Sequence, residues 1–194
     1  MSPKTNVPLM LILLITISGS SCSYESGETV SKGKLVKGKK EGLWKIYDTK
    51  GILLEHNNYK DDTLNGLRIT FDKRGKIYTK AHYKMGIFVD SFFLYYPNGQ
   101  LRTESWFDSL GQEQGIFKMY HENGRLSAIG HSVNGKTEDT VRAYTENGNL
   151  EYIEYYTNQE KERTITYFSA KGIPLKLEHY KNDSLIKETW LNSH

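Results

Sequence analysis

The sequence predicts an all-β fold: an elongated antiparallel array of β-hairpin repeats, about 24 residues per unit. Three observations predict it. Six glycines, Gly51, Gly75, Gly99, Gly124, Gly148 and Gly172, recur at steps of 24, 24, 25, 24 and 24 residues, and such self-similarity marks a repeat architecture. Four residues before each stands an aromatic: Tyr47, Phe71, Tyr95, Tyr120, Tyr144 and Phe168. Tyrosine is abundant, with 14 copies, and Tyr, Thr and Ile favour pleated, half-buried surfaces.

The glycines read as turns. They close the tetrads Asp-Thr-Lys-Gly, Asp-Lys-Arg-Gly, Tyr-Pro-Asn-Gly, His-Glu-Asn-Gly, Thr-Glu-Asn-Gly and Ser-Ala-Lys-Gly. Asp or Ser first, Pro second and Gly fourth is type I turn chemistry, with the glycine left-handed beside a one-residue bulge. That register sets each preceding aromatic against the residue two after the glycine: Leu53, Ile77, Leu101, Leu126, Leu150 and Pro174. A further aromatic follows eight after the glycine at Tyr59, Tyr83, Phe107, Tyr156 and Tyr180, with Ser132 the exception. The units should join through looser turns, with the one extra residue in 108–115. This gives twelve strands, a ribbon roughly 55 Å long, and a last strand over 186–191 as a cap.

The chain start reads differently. Residues 1–21 hold Lys4, an apolar run over 7–17 and then Ser18, Gly19, Ser20 and Ser21. The run is too short for a bilayer, which takes ~20 residues, and the layout is that of a signal peptide. Cys22, the single cysteine, follows directly. This arrangement resembles a bacterial lipoprotein signal, although Gly19 stands where that pattern has an aliphatic residue. The resemblance implies a lipidated Cys22, a membrane anchor and a place in the cell envelope, at the outer membrane or periplasmic face. Residues 22–37, rich in Ser, Gly and Lys, are expected to be a flexible tether, and 38–194 the repeat domain.

Gly42-Leu-Trp44-Lys-Ile-Tyr47-Asp-Thr-Lys-Gly51 carries a family pattern, Gly-x-Trp-x-x-Tyr-x-x-x-Gly. It resembles the bacterial variant of the MORN repeat. The stretch from Gly115 to Gly124 fits next best, with Phe117 for the tryptophan; Arg68, Phe92, Val141 and Ile165 hold that place elsewhere. The resemblance implies a single twisted sheet and contacts with proteins or membrane lipids. It also implies the YwqK-type antitoxin label, and so an alternative role as an immunity protein that neutralises a toxin.

No catalytic signature of the common hydrolase, metalloprotease or nucleotide-binding kinds is present, so neither enzyme activity nor a cofactor is expected. His82, His131 and His179 share one phase but stand two units apart, about 19 Å at strand spacing, which excludes a shared metal needing ligands at ~2 Å. A net charge of +3 gives no case for nucleic acid. The candidate binding surface is the phase seven after the glycine, with Trp106, His131, Tyr155 and His179. It is expected on the side of the pleat away from the aromatics four before the glycine, facing a protein or glycan partner. Flat rings on a rigid sheet make good anchors.

Overall fold

The computed structural model describes residues 29–157 and 162–191. Residues 1–28, with Cys22 among them, and 158–161 lie outside the described residues. The strands are β1 (Val30–Val36), β2 (Lys39–Tyr47), β3 (Leu53–Lys60), β4 (Thr63–Phe71), β5 (Ile77–Lys84), β6 (Ile87–Tyr95) and β7 (Leu101–Phe107). They continue as β8 (Gly115–Tyr120), β9 (Leu126–Val133), β10 (Lys136–Tyr144), β11 (Leu150–Thr157), β12 (Glu162–Phe168), β13 (Pro174–Lys181) and β14 (Ser184–Trp190). They form one antiparallel sheet in which spatial order equals chain order.

All six glycine turns have the expected geometry. In the first, the Gly51 N–H donates to the Asp48 carbonyl (3.0 Å) and the Asp48 N–H to the Ile52 carbonyl (2.9 Å). Gly51 has φ 81°, a conformation that costs glycine nothing. The Asp48 carboxylate also accepts from the N–H groups of Lys50 and Ile52. Each turn is followed by the expected cross-strand pair: Tyr47 with Leu53, Phe71 with Ile77, Tyr95 with Leu101, Tyr120 with Leu126, Tyr144 with Leu150 and Phe168 with Pro174. Such pairs contribute roughly 0.2–1 kcal/mol each. Side chains also stitch one turn to the next. The Tyr96 hydroxyl donates to the Tyr120 carbonyl (2.8 Å), and His121 Nε2 donates to the Tyr144 carbonyl (2.7 Å).

Two expectations need correction. Residues 30–36, placed in the tether, are strand β1, paired with β2. Its alternating lysines suit an edge strand, where charge discourages further pairing; Gly33 leaves room for the Trp44 ring, and Trp44 Nε1 donates to the Lys34 carbonyl (3.2 Å). The connections on the far side of the sheet are also tighter than expected. Lys37-Gly38, Asp61-Asp62, Met85-Gly86, Asn134-Gly135 and Asn182-Asp183 all have both residues at positive φ, the type I′ hairpin. Asp and Asn replace glycine there because their short polar side chains tolerate the left-handed region. Between β7 and β8 a longer loop, turning at Asp108 to Gly111, holds the extra residue.

A second left-handed position lies nine before the turn glycine: Gly42, Gly66, Asp90, Gly115 and Asp139, with φ between 63° and 112°. The ladder slips near it in β2, β4, β6 and β10. A valine at Asp139 is expected to cost about 1–2 kcal/mol, because Cβ opposes this conformation. Glycine there should leave the urea midpoint at or above that of the unchanged chain.

The core is a row crossing the sheet. It combines the residue seven before each glycine with the one six after it: Trp44 opposite Asn57, Phe92 opposite Ser105, Phe117 opposite Gly130, Val141 opposite Glu154 and Ile165 opposite Glu178. Val141 is 1% exposed. Large side chains alternate with small ones, so neighbouring units interdigitate. Two clusters grow from the row: Ala81, Phe88 and Phe92, with the Phe107 ring tilted against Phe88 at 4.3 Å, and Phe117, Ala128, Val141 and Tyr156.

Candidate functional site

In a sheet, directly opposed residues share a face and successive residues alternate. The buried row therefore defines an inner face, and the residues beside it along each strand define an outer one. The outer face carries one continuous row and a second that the bulges interrupt. The first runs through Lys32, Lys45, His56, Ile69, Lys80, Phe93 and Glu104, then Lys118, Ile129, Arg142, Ile153, Thr166, Leu177 and Thr189. The second contains the phase seven after the glycine and its partners: Ser91 with Trp106, Ile116 with His131, which also opposes Glu138, Thr140 with Tyr155, and Thr164 with His179, which also opposes Lys187.

The structure thus brings Trp106, His131, Tyr155 and His179 into one stripe on β7, β9, β11 and β13. Trp106 is 39% exposed, Tyr155 49% and the interposed Ile116 52%; His131 is exposed and His179 half-buried. Trp106 is braced edge-on by Phe93 at 6.4 Å. His179 Nδ1 lies 3.1 Å from the Thr164 hydroxyl, and His82 Nδ1 lies 2.9 Å from Ser91 Oγ. His82, His131 and His179 fall on β5, β9 and β13.

The aromatics four before each glycine are on this same outer face, not the opposite one as expected. Residues four, six and eight before the glycine alternate together, and the eighth is the partner of the stripe. Accordingly the Phe71 ring packs on His56 at 5.1 Å, and the Tyr120 hydroxyl donates to Glu104 (2.8 Å). Burial, then the Glu104 charge, pushes the Tyr120 hydroxyl up to about 12.

Charge divides between the faces. The two outer rows hold Lys32, Lys45, Lys80, Lys118 and Arg142 in one and Lys34 and Lys187 in the other; their carboxylates are Glu104, taken by Lys118 at 3.1 Å, Glu41 opposite Lys34, and Glu138 opposite His131, so cations outnumber them. Lys32 stands directly opposite Lys45, a repulsive pairing. Burial, then Lys45, pushes His56 below the ordinary histidine range. On the inner face Arg68 holds Glu55 (2.8 Å), Arg163 holds Glu154 (3.3 Å), and Lys176 holds Glu178.

The inner carboxylates were missed by sequence reasoning. The position six after the glycine reads Asn57, Ala81, Ser105, Gly130, Glu154 and Glu178. Smallness in the first four units signals a packed site, and glutamate in the last two hides it. Glu154 is 2% exposed. Burial pushes its carboxyl up, only partly opposed by Arg163 and by a hydrogen bond from Tyr156. Glu178 goes down despite its burial, because Lys176, Tyr180 and Tyr167 all donate to it. Ser132, the exception among the aromatics, is buried and donates to Glu113 Oε2 (2.7 Å) in the longer loop.

The family model described as the MORN repeat variant matches residues 40–61, 64–85, 91–108, 113–134 and 140–158, more than half of the chain. No curated protein matches. Among solved structures, a chain from the GtfA/B complex bound to UDP and GlcNAc is 14% identical with a TM-score of 0.26, covering 61% of this chain and 23% of that one. A protein with unknown function from Bacteroides fragilis is 9% identical with a TM-score of 0.16, covering 86% and 94%. This chain thus spans under a quarter of the first of these, and at such TM-scores neither carries a functional argument.

Proposed function

Since this chain belongs to the MORN repeat variant family, whose repeats suggest a non-catalytic binding module, we propose that it is an envelope lipoprotein that presents its outer face to a partner. Cys22 carries the lipid anchor. The observation that carries the binding role is the exposed stripe of Trp106, Ile116 and Tyr155 on the face opposite the buried row. A rigid sheet holds these side chains in place before binding, so little ordering entropy is lost when a partner arrives. Apolar and aromatic groups left in water on a fully packed scaffold mark an interaction surface.

The test is photo-crosslinking in cells. A photoreactive phenylalanine at position 155 is expected to give a discrete higher-mass adduct, and one at Tyr152 on the inner face is not. Equal yields from both positions, or none from 155 and 106 alike, would remove the outer face from the account. For the anchor, the mass of the mature N-terminus is expected to show an acylated Cys22; an unmodified cysteine refutes that part.

A further inference from the structure

The outer face has a chemistry more specific than "binding", and the argument here rests on its being the contact surface. Three features converge. The first is unneutralised cationic charge. Among the described residues, Lys45, Lys80, Arg142 and Lys187 have no carboxylate within ion-pair distance, and they outnumber the carboxylates Glu41 and Glu138 that stand on the same face, whereas the inner face pairs Arg68, Arg163 and Lys176. The second is the content of the stripe. Trp106 and Tyr155 alternate with hydroxyl and imidazole groups, Thr140, Thr164, His131 and His179, so flat apolar platforms stand between hydrogen-bonding groups. The third is direction. The stripe runs across the strands, with one side chain every ~4.8 Å.

A peptide that adds as a strand lies along the sheet edge, parallel to the strands, and so does not follow this stripe. A chain of pyranose rings can. Each ring advances its chain by close to one strand spacing, presents an apolar face to an aromatic and offers hydroxyls to its flanks. The surplus of cations requires that such a chain be acidic.

We infer that the outer face binds a linear anionic polysaccharide laid across the strands, with sugar rings on Trp106 and Tyr155 and acidic groups held by Lys80, Arg142 and Lys187. From Lys80 on β5 to Lys187 on β14 is nine strand spacings, about 43 Å. The site therefore takes an oligomer of several sugars, and affinity should grow with chain length until the stripe is filled. Arg142 lies between His131 and Tyr155, on the strand that separates theirs, where it can reach an acidic group on a ring seated at Tyr155.

The test uses the full chain in mild detergent, titrated calorimetrically with oligogalacturonates of four and eight sugars. Neutral chito-oligosaccharides of equal length, poly-glutamate and single-stranded DNA serve as comparators. The octamer is expected to bind more tightly than the tetramer, and at least about tenfold more tightly than the neutral sugar or poly-glutamate. Arg142→Glu should weaken octamer binding about tenfold or more, and Tyr155→Ser should weaken it also, whereas Lys40→Glu on the inner face should not. Equal binding of neutral sugar overturns the charge argument. Equal binding of poly-glutamate or DNA reduces the face to a non-specific polyanion surface and overturns the inference. Absence of oligogalacturonate binding while position 155 still crosslinks a partner in cells refutes the ligand class and leaves the surface standing; absence of both refutes the surface.

Discussion

Gly130→Val should be among the most damaging single substitutions in the chain, with a loss of roughly 3 kcal/mol in urea unfolding. Gly130 has no unusual backbone conformation, so the cost is steric alone. A Cβ at this site would lie 2.4 Å from Phe117 Cζ and 2.9 Å from Val141 Cγ2. Phe117 is directly opposite, and Val141 belongs to the next unit. The ring cannot retreat, because Ala128, Val141 and Tyr156 close around it. The double variant Gly130→Val, Phe117→Ala should recover much of the loss, since it returns the volume. A midpoint unchanged in Gly130→Val would mean that the buried row is not a packed core.

Arg163→Met should cost about 3 kcal/mol near neutral pH, since it strands a buried carboxylate. Glu154 keeps its place between Val141 and Ile165 and, among the described residues, has no other cation paired with it. The pH dependence follows from the direction of its shift. A carboxyl raised above its unfolded value contributes most in acid, below the unfolded pKa, and that contribution is lost as pH rises through the folded value. The deficit of Arg163→Met relative to the unchanged chain should therefore shrink on acidification and grow toward neutrality. Arg163→Met with Glu154→Leu should fall within about 1 kcal/mol of the unchanged chain, because an apolar pair fills the same space. A deficit independent of pH would place the role of Arg163 in its stacking on Tyr180, 4.6 Å away, and not in the ion pair. Glu178 has the opposite sign. Held below its unfolded value, it stabilises above that value and loses its contribution as pH falls through its folded value.

The turns and their cross-strand partners were legible because they are local. A glycine that must be left-handed leaves its signature in one residue, and Tyr47 meets Leu53 only if the turn between them closes. β1 was not legible. Its composition of Lys, Ser and Gly matches a tether, and only the Trp44 ring over Gly33 shows why it is held in the sheet. The inner row was half visible: Trp44 and Phe117 announced it, whereas Glu154 and Glu178 read as surface residues until the ladder placed them beside Val141 and Ile165. The stripe of Trp106, His131, Tyr155 and His179 was found from its phase. Its face relative to Tyr47 and Phe71 was misjudged, because parity must be counted through both the turn and the bulge that follows it. The sidedness of charge was invisible to a sum over the chain: a net charge of +3 conceals an excess of unpaired cations on one face.

The division between a packed face and a contact face is tested most directly by cysteine accessibility in the Cys22→Ser background, which removes the native thiol. His131→Cys and Tyr155→Cys are expected to react quickly with a charged maleimide in the purified chain, and Ser132→Cys, adjacent but on the inner face, slowly. With native envelope added, the first two should become protected while Lys171→Cys, on an exposed turn, stays reactive. Equal reactivity at 131 and 132, or protection that falls on Lys171→Cys as strongly as on Tyr155→Cys, would contradict the account.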